Sequence, residues 1–163
     1  MATSDFSVTV REPELIPPDT PTPHNYKYLS NIDDQLGLRS HIPFVHVYRG
    51  PKNGPGRDPG PVVRRALSRA LVHYYPLAGR LRTGEKGKLV VECTGEGVMY
   101  READMEVTIG RLREANGGGV RPPFRHLDEF LVDDVWGCNL VTDSPLLRVQ
   151  VHLLALELEV YFK

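Results

Sequence analysis

The chain has 163 residues, enough for one domain that buries roughly two-thirds of its unfolded surface. Its 40% hydrophobic and 25% charged residues are ordinary for a globular protein, and its formal net charge of -1 gives no electrostatic reason to expect nucleic acid or an anionic membrane as a partner. Apolar runs are far shorter than the ~20 residues that span a bilayer, so no membrane partner is expected.

Two features bear on the cellular compartment. Residues 1–5 contain neither a basic stretch nor an apolar one, which argues against a secretory signal. Cys93 and Cys138 lie far apart and neither belongs to a Cys-x-x-Cys pair, which argues against a zinc or redox site. Two free, buried thiols are typical of a reducing compartment, so a cytoplasmic location is expected.

The first half of the chain predicts two strands separated by loops. Alternating apolar residues predict a half-buried strand at 6–11, and the proline-rich stretch 13–23 predicts an extended connector. β-Branched and aromatic residues predict a second strand at 42–48. Several glycines and prolines at 50–60 then predict a loop.

The clearest predicted helix follows this loop. Asp58 is a good N-cap, Pro59 suits the first turn, and Pro76 prevents the helix from continuing into the residue before it. An apolar stripe at three- and four-residue spacing supports the helix: Val63, Ala66, Leu67, Ala70, Leu71 and Tyr74. Three arginines lie mostly off this stripe: Arg64, Arg65 and Arg69.

The second half predicts shorter elements. Two strands at 88–93 and 98–102 are joined by the Thr-Gly-Glu-Gly sequence of 94–97, which indicates a hairpin. A short helix is predicted at 108–115 and a single helical turn at 126–131.

The end of the chain predicts a strand in which the alternation of apolar and polar residues shifts by one position. From 147 to 153 the odd positions are apolar, and from 156 to 160 the even ones are. A one-residue slip moves side chains to the opposite sheet face, so a bulge, a bend or a strand end is required at 153–155. The apolar residues 160–162 predict an exposed terminal strand, which is an aggregation liability.

Six segments, taken in order, form a recognisable pattern. They are residues 21–24, 29–35, 42–43, the Tyr-Tyr-Pro-Leu-Ala-Gly-Arg run of 74–80, 93–97, and the Pro-Leu-Leu-Arg-Val-Gln-Val run of 145–151. This ordered set resembles the N-terminal domain of plant BAHD acyl-CoA:alcohol acyltransferases, in the branch that esterifies benzyl and other small alcohols.

The resemblance implies a fold and a reaction. The family fold has two similar α/β domains related to chloramphenicol acetyltransferase, so residues 1–163 are expected to form a single partial N-terminal domain, a mixed sheet with a long helix, without the C-terminal domain. The active site lies in a channel between the domains. There a His-x-x-x-Asp histidine acts as general base on a small alcohol, which attacks the thioester of acyl-CoA, the co-substrate; no bound cofactor is implied.

The sequence departs from the family pattern at the catalytic motif. None of its six histidines is followed four residues later by aspartate. We therefore expect no turnover from this chain alone. Three interpretations remain open: a truncated acyltransferase, a non-catalytic interaction module that pairs with a full-length acyltransferase, or a remnant without function.

By resemblance, His41, Phe44 and His46 are candidates for the acceptor pocket. Phe44 and His46 are two residues apart and share a strand face, whereas His41 and His46 lie on opposite faces, so a metal site is not expected. The alternative for His46 is an ordinary hydrogen-bonded strand histidine.

The arginines have two interpretations as well. The helix cluster around Arg64 could contact the CoA phosphates, but a solvated helix face is the simpler interpretation. Arg80 and Arg82 are interpreted as structural residues that pair with carboxylates near a sheet edge.

Overall fold

The structure is a computed structural model that describes residues 7–48, 58–119, 141–154 and 158–162. These residues form nine strands and two α-helices. The strands are β1 (Val8–Val10), β2 (Glu14–Ile16), β3 (Tyr26–Tyr28), β4 (Phe44–His46), β5 (Arg80–Thr83), β6 (Leu89–Glu92), β7 (Val98–Met105), β8 (Arg148–Leu154) and β9 (Leu158–Phe162). The helices are α1 (Gly60–His73) and α2 (Ile109–Ala115), and 3-10 turns occur at Leu36–Leu38, Tyr75–Ala78 and Glu85–Gly87.

The strands form two sheets. The larger sheet has six strands in the order β1-β7-β8-β9-β4, and β2 also pairs with β7. β7 and β8 run parallel, whereas the other neighbours in this sheet are antiparallel. The smaller sheet is antiparallel, in the order β3-β6-β5. The predicted class, an α/β fold with a mixed sheet and a long helix, is confirmed.

Each face of the larger sheet has its own apolar core. Tyr100 and Val149 project towards α1 and pack with Leu71. On the opposite face, Met105 and Leu154 pack in a second cluster with α2. The parallel pair β7 and β8 is therefore buried on both sides, as is usual for parallel strands covered by helices.

Helix α1 forms where the sequence predicts it. The N-cap residue is Pro59 rather than the predicted Asp58, but the Asp58 carboxylate still accepts a hydrogen bond from the Gly60 N–H at 2.9 Å and satisfies one of the unpaired donors of the first turn. Leu71 is buried, and Val63 and Leu67 pack half-buried against the core. The buried stripe is narrower than predicted, because Ala66, Ala70 and Tyr74 are exposed.

The hairpin predicted from 88 to 102 is wrong. β6 belongs to the smaller sheet and β7 to the larger one, so residues 94–97 carry the chain from one sheet to the other. Gly97 has φ +108, and a Cβ atom there would lie 2.3 Å from the Ile16 carbonyl oxygen. The Gly97 N–H donates to the Ala78 carbonyl at 2.9 Å, which fixes the crossing against the end of the Tyr75–Ala78 turn.

The phase slip in the tail marks a strand end, as predicted. β8 ends at Leu154, and β9 returns antiparallel along it, with Val151 opposite Val160. β9 lies between β8 and β4, so it is not an edge strand of the larger sheet. Residues 155–157 are outside the described ranges.

The remaining local predictions have mixed outcomes. The strands predicted at 6–11 and 42–48 appear as the shorter β1 and β4. The connector predicted at 13–23 contains β2. The helix predicted at 108–115 is confirmed as α2, where the Thr108 hydroxyl accepts from the Arg111 N–H at 3.3 Å. The turn predicted at 126–131 and Cys138 lie outside the described residues.

Candidate functional site

Phe44 and His46 form an aromatic pair on the exposed face of β4. Their ring centroids are 5.5 Å apart in an edge-to-face arrangement, which is a favourable geometry for two aromatic rings. Tyr48 continues the row, 6.2 Å from the His46 ring. Between them, Val45 and Val47 point to the other face and pack against the α2 core. The two-residue alternation predicted for this strand is confirmed.

The position of this aromatic pair depends on β9. Strand β4 pairs antiparallel with β9, with Phe44 opposite Phe162 and His46 opposite Val160. Within the described residues β4 has no second strand neighbour, so it forms one edge of the larger sheet. The pair therefore stands at an edge of the larger sheet among the described residues, and both of its side chains are exposed.

His41 lies apart from this pair. Its Nε2–H donates to the Pro145 carbonyl at 2.9 Å, and the ring lines a cavity of about 100 Å³. The cavity is also lined by Leu29, Asp33, Leu38, Arg39, Ser40, Leu81, Leu89, Val141 and Leu146. Pockets for drug-sized ligands usually measure at least ~300 Å³, so this cavity is small by comparison. The structure brings Phe44 and His46 together and places His41 elsewhere.

The conspicuous Tyr-Tyr-Pro-Leu-Ala-Gly-Arg run has a structural explanation. Arg80 is buried, and its Nη1 donates to the carbonyls of Gly79 at 2.7 Å and Gly97 at 2.9 Å. Burial lowers the pKa of this guanidinium, while the Glu96 carboxylate, 3.2 Å from Nη2, favours the charged form. Arg80 thus ties β5 to the crossing between the sheets. The interpretation of Arg80 and Arg82 as carboxylate-paired structural residues is confirmed.

Arg82 completes a second polar group around Glu92. The Glu92 carboxylate accepts from Arg82 Nε at 2.8 Å, from the Tyr26 hydroxyl at 3.2 Å and from His24 Nε2 at 3.3 Å. The Arg82 hydrogen bond is the main reason why the pKa of Glu92 lies below its ordinary value. These contacts join all three strands of the smaller sheet or their immediate flanks.

We expect Glu92→Gln to weaken the acid dependence of stability. Because the folded pKa of Glu92 is below the unfolded value of about 4.3, its contribution is present above that value and is lost as pH falls through the folded pKa. Urea unfolding midpoints should therefore fall at pH 7 and change less between about pH 5 and pH 3. Glu85→Gln, at an exposed site without a described ion pair, is the matched control. Equal behaviour of the two variants would contradict this role.

A buried polar row on β7 and β8 was missed by sequence reasoning. Arg101, Arg148, Gln150 and His152 are all buried. Arg101 Nε donates to Gln150 Oε1, and the Gln150 amide contacts His152 Nε2. Alternation of polar and apolar residues at 147–153 suggests a solvated face, but the parallel neighbour and its covering elements bury both faces.

A second buried group contacts α1. The buried Glu102 carboxylate accepts from Arg11 Nη1 at 2.6 Å and from the Tyr100 hydroxyl at 3.0 Å. Burial, and secondarily the hydrogen bond to Glu102, raises the pKa of Tyr100. Arg64 also contacts Glu102, at 3.3 Å, and pairs with Glu14 at 2.6 Å. Arg64 is therefore engaged structurally, whereas its neighbours Arg65 and Arg69 are exposed.

Metal sites, membrane-spanning helices and a reactive cysteine are the other features to consider in the described residues. The described residues contain no group of three side chains able to hold a metal ion, and no helix among them is both long and apolar enough to cross a bilayer. Cys93 is buried, and its burial raises the pKa of the thiol. Because the thiolate is the nucleophilic form, this cysteine is poorly suited to covalent catalysis.

Comparison with protein families and with known proteins identifies the family. The model of the Transferase family matches residues 6–155, so the chain belongs to this family, the plant BAHD acyltransferases. The chain is 49% identical over 146 residues to 13-hydroxylupanine O-tigloyltransferase of Lupinus albus. It is also 49% identical over 146 residues to benzyl alcohol O-benzoyltransferase of Petunia hybrida. In both comparisons the match covers 90% of this chain and 31% of the relative.

Further relatives fit the same picture. The (Z)-3-hexen-1-ol acetyltransferase of Arabidopsis thaliana is 48% identical over 146 residues, which again cover 90% of this chain and 31% of the relative. The crystal structure of vinorine synthase superposes with a TM-score of 0.64 at 24% identity, over 96% of this chain and 37% of that one. This structural likeness supports the fold alone. The chain spans about a third of the length of the curated relatives it matches.

Proposed function

We propose that this chain forms the acceptor side of an acyl-CoA-dependent alcohol O-acyltransferase site. In the proposed reaction an alcohol oxygen attacks the thioester carbonyl of acyl-CoA, the carbon–sulfur bond breaks, and the alcohol proton is transferred by way of a base to the departing CoA thiolate. The ester and CoA are the products. The observation that supports this role is the exposed Phe44–His46 pair on β4, within a chain that belongs to an acyltransferase family.

The pair is suited to binding rather than to complete catalysis. Phe44 offers an apolar ring to the alcohol, and the imidazole of His46 offers a polar edge at 5.5 Å between centroids. Among the described residues the pair lies on an edge strand, and a small ligand needs a site that encloses most of its surface. The sequence also has no His-x-x-x-Asp motif to supply the base. We therefore propose that residues 1–163 do not turn over substrate by themselves.

A chimeric enzyme tests this proposal. In it, this chain replaces the matching third of the Petunia hybrida benzyl alcohol O-benzoyltransferase, and release of the CoA thiol from benzoyl-CoA is followed with benzyl alcohol as acceptor. We expect ester formation by the chimera and none by the chain alone above a heat-inactivated control. Phe44→Ala should lower kcat/KM for the alcohol roughly tenfold, the loss of about 1.4 kcal/mol of apolar contact.

Control variants distinguish a loss of kcat/KM at the proposed acceptor site from a general loss of structure. Val62→Ala, on the exposed face of α1, should leave kcat/KM unchanged. Ester formation by the isolated chain would overturn the first part of the proposal. A chimera in which Phe44→Ala and His46→Ala both retain full kcat/KM would remove the acceptor role.

A second candidate function is non-catalytic. The chain could act as an interaction module that pairs with acyltransferase polypeptide. The observation in favour is that, in the part of the chain that the structure describes, most of the exposed large apolar side chains lie between residues 26 and 48. Isolated apolar side chains at a surface are ordinary, but their concentration in one segment is typical of an interface.

A further inference from the structure

Tyr75 belongs to the Tyr-Tyr-Pro-Leu-Ala-Gly-Arg run, and the contacts of Arg80 do not explain it. It begins the 3-10 turn Tyr75–Ala78 that follows α1, and its side chain is half-buried. Its hydroxyl accepts a hydrogen bond from the side-chain amide of Asn25 at 3.3 Å. A donor to this oxygen favours the loss of the phenol proton, because the hydrogen bond becomes stronger when the oxygen is charged.

Lys27 adds a positive charge to the same place. Its Nζ lies 5.8 Å from the centroid of the Tyr75 ring, and its side chain is exposed on β3. The hydrogen bond from Asn25, followed by the interaction with Lys27, lowers the pKa of the Tyr75 hydroxyl, and partial burial opposes this shift only in part. The Tyr75 phenolate therefore forms at a lower pH than that of an ordinary tyrosine.

Cys93 is the other titratable group that acts on Tyr75. Its backbone N–H donates to the Asn25 carbonyl at 2.8 Å, which holds Asn25 next to the end of β6. A Cys93 thiolate would oppose the ionisation of Tyr75, but burial raises the pKa of this thiol. Cys93 is therefore uncharged near neutral pH, and it does not cancel the effect of Lys27.

Other tyrosines in the described part of the chain show the contrast. The Tyr26 hydroxyl donates to the Glu92 carboxylate at 3.2 Å, and the Tyr100 hydroxyl donates to the Glu102 carboxylate at 3.0 Å. Donation to a carboxylate retains the phenol proton. Tyr74 is 65% exposed, and its hydroxyl has no hydrogen bond to a described residue. Tyr74 is thus an accessible neighbour of Tyr75 that lacks its two positive or donating partners.

We propose that Tyr75 is an acyl-accepting nucleophile whose donor is the thioester of acyl-CoA. The Tyr75 oxygen attacks the thioester carbonyl, a carbon–oxygen ester bond forms and the carbon–sulfur bond breaks. The phenol proton passes through solvent to the departing CoA thiolate. Asn25 and Lys27 are positioning residues that stabilise the phenolate before the attack. The choice of donor rests on the proposed function, whereas the nucleophilic character of Tyr75 rests on these contacts alone.

The test measures the acetyl ester at each tyrosine after the intact chain is incubated with acetyl-CoA. Tandem mass spectrometry of its peptides resolves adjacent residues and so distinguishes Tyr74 from Tyr75. Near pH 8 we expect Tyr75 to be acetylated at least about threefold faster, because the gain in ionised fraction outweighs the accompanying loss of intrinsic nucleophilicity, as it does for thiols. The pH at which the rate is half-maximal should also be lower for Tyr75 than for Tyr74.

A matched pair of variants tests the positioning role of Lys27. Lys27→Met should move the pH profile of Tyr75 acetylation to higher pH and leave the profile of Tyr74 in place. Lys86→Met removes the same charge from an exposed residue of the Glu85–Gly87 turn and should move neither profile. A purely structural role of Lys27 would not move the pH profile of one tyrosine alone.

Each outcome decides the proposal. Equal acetylation of Tyr74 and Tyr75, or a Tyr75 profile that Lys27→Met does not move, would overturn it. N-Acetylimidazole, an acyl donor without CoA, is the second probe: modification of Tyr75 by this reagent but not by acetyl-CoA would refute the thioester as donor. Neither measurement requires an alcohol acceptor. An inactive chimera would therefore count against the proposed function alone, and an unreactive Tyr75 would count against this inference alone.

Discussion

Replacing Gly97 with alanine is expected to lower the free energy of unfolding by roughly 3 kcal/mol or more. Two effects add at this position: φ is +108, a conformation that residues with a side chain rarely adopt, and a Cβ atom would lie 2.3 Å from the Ile16 carbonyl oxygen. Neither effect can be relieved by rotating a side chain, because the obstructing atom belongs to the backbone. Urea unfolding followed by far-UV circular dichroism measures the change.

Gly110→Ala is the matched control for this prediction. Gly110 lies in α2, and a Cβ atom there would have its nearest neighbour at 3.7 Å, an ordinary contact distance. Since alanine favours helix more than glycine does, the variant should gain about 0.5–1 kcal/mol in free energy of unfolding. If Gly97→Ala lowers the unfolding midpoint no more than Gly110→Ala does, the glycine is not required at the crossing.

Arg80→Met is expected to lower the free energy of unfolding, measured by urea denaturation, by roughly 3 kcal/mol. The substitution keeps much of the side-chain length but removes the donors that satisfy the carbonyls of Gly79 and Gly97, at 2.7 and 2.9 Å. Hydrogen bonds from a charged donor contribute about 1.5–3 kcal/mol each, and buried carbonyls without a donor carry a desolvation cost. Relief from burying the guanidinium offsets part of this loss.

The comparison variant for Arg80 is Arg65→Met. Arg65 is exposed on α1, so its replacement should change the free energy of unfolding by no more than about 0.5 kcal/mol. Both variants remove one positive charge. The difference between their losses of free energy of unfolding therefore reports the buried contacts of Arg80. A loss for Arg80→Met no larger than that for Arg65→Met would show that Arg80 does not tie β5 to the crossing.

The sequence patterns predict the elements that depend on near neighbours. The helix at α1 follows from Asp58, from the prolines and from the three- and four-residue apolar spacing, all of which act within a few residues. The shared face of Phe44 and His46 follows from the two-residue period of a strand. These local rules need no information about the rest of the molecule.

The hairpin error has a definite physical cause. Thr-Gly-Glu-Gly between two apolar runs satisfies the turn chemistry of a hairpin, and that chemistry does not state whether the flanking strands pair with one another. Here Gly97 faces Ile16 and Ala78, and Arg80 bonds to its carbonyl. These partners lie 17 or more residues away in sequence, so local reasoning could not reveal them.

The buried polar row and the separate position of His41 could not be predicted for a related reason. The alternation at 147–153 is the pattern of a strand with one solvated face, yet β8 lies between β7 and β9 and both of its faces are covered. His41 is held by the Pro145 carbonyl, 104 residues away. Both features depend on which distant segments meet, and the local residue pattern of a single sequence does not specify those contacts.

The pairing of β4 with β9 has a kinetic consequence. Phe44 meets Phe162 only after more than a hundred intervening residues have been synthesised, so the described strand neighbour of β4 is supplied late. Pairings of such long sequence separation are slow to form, because loop closure precedes any favourable contact. During synthesis on the ribosome, β4 therefore lacks its β9 neighbour until residues 158–162 have emerged. The candidate substrate-binding edge is then among the last parts of the larger sheet to be assembled.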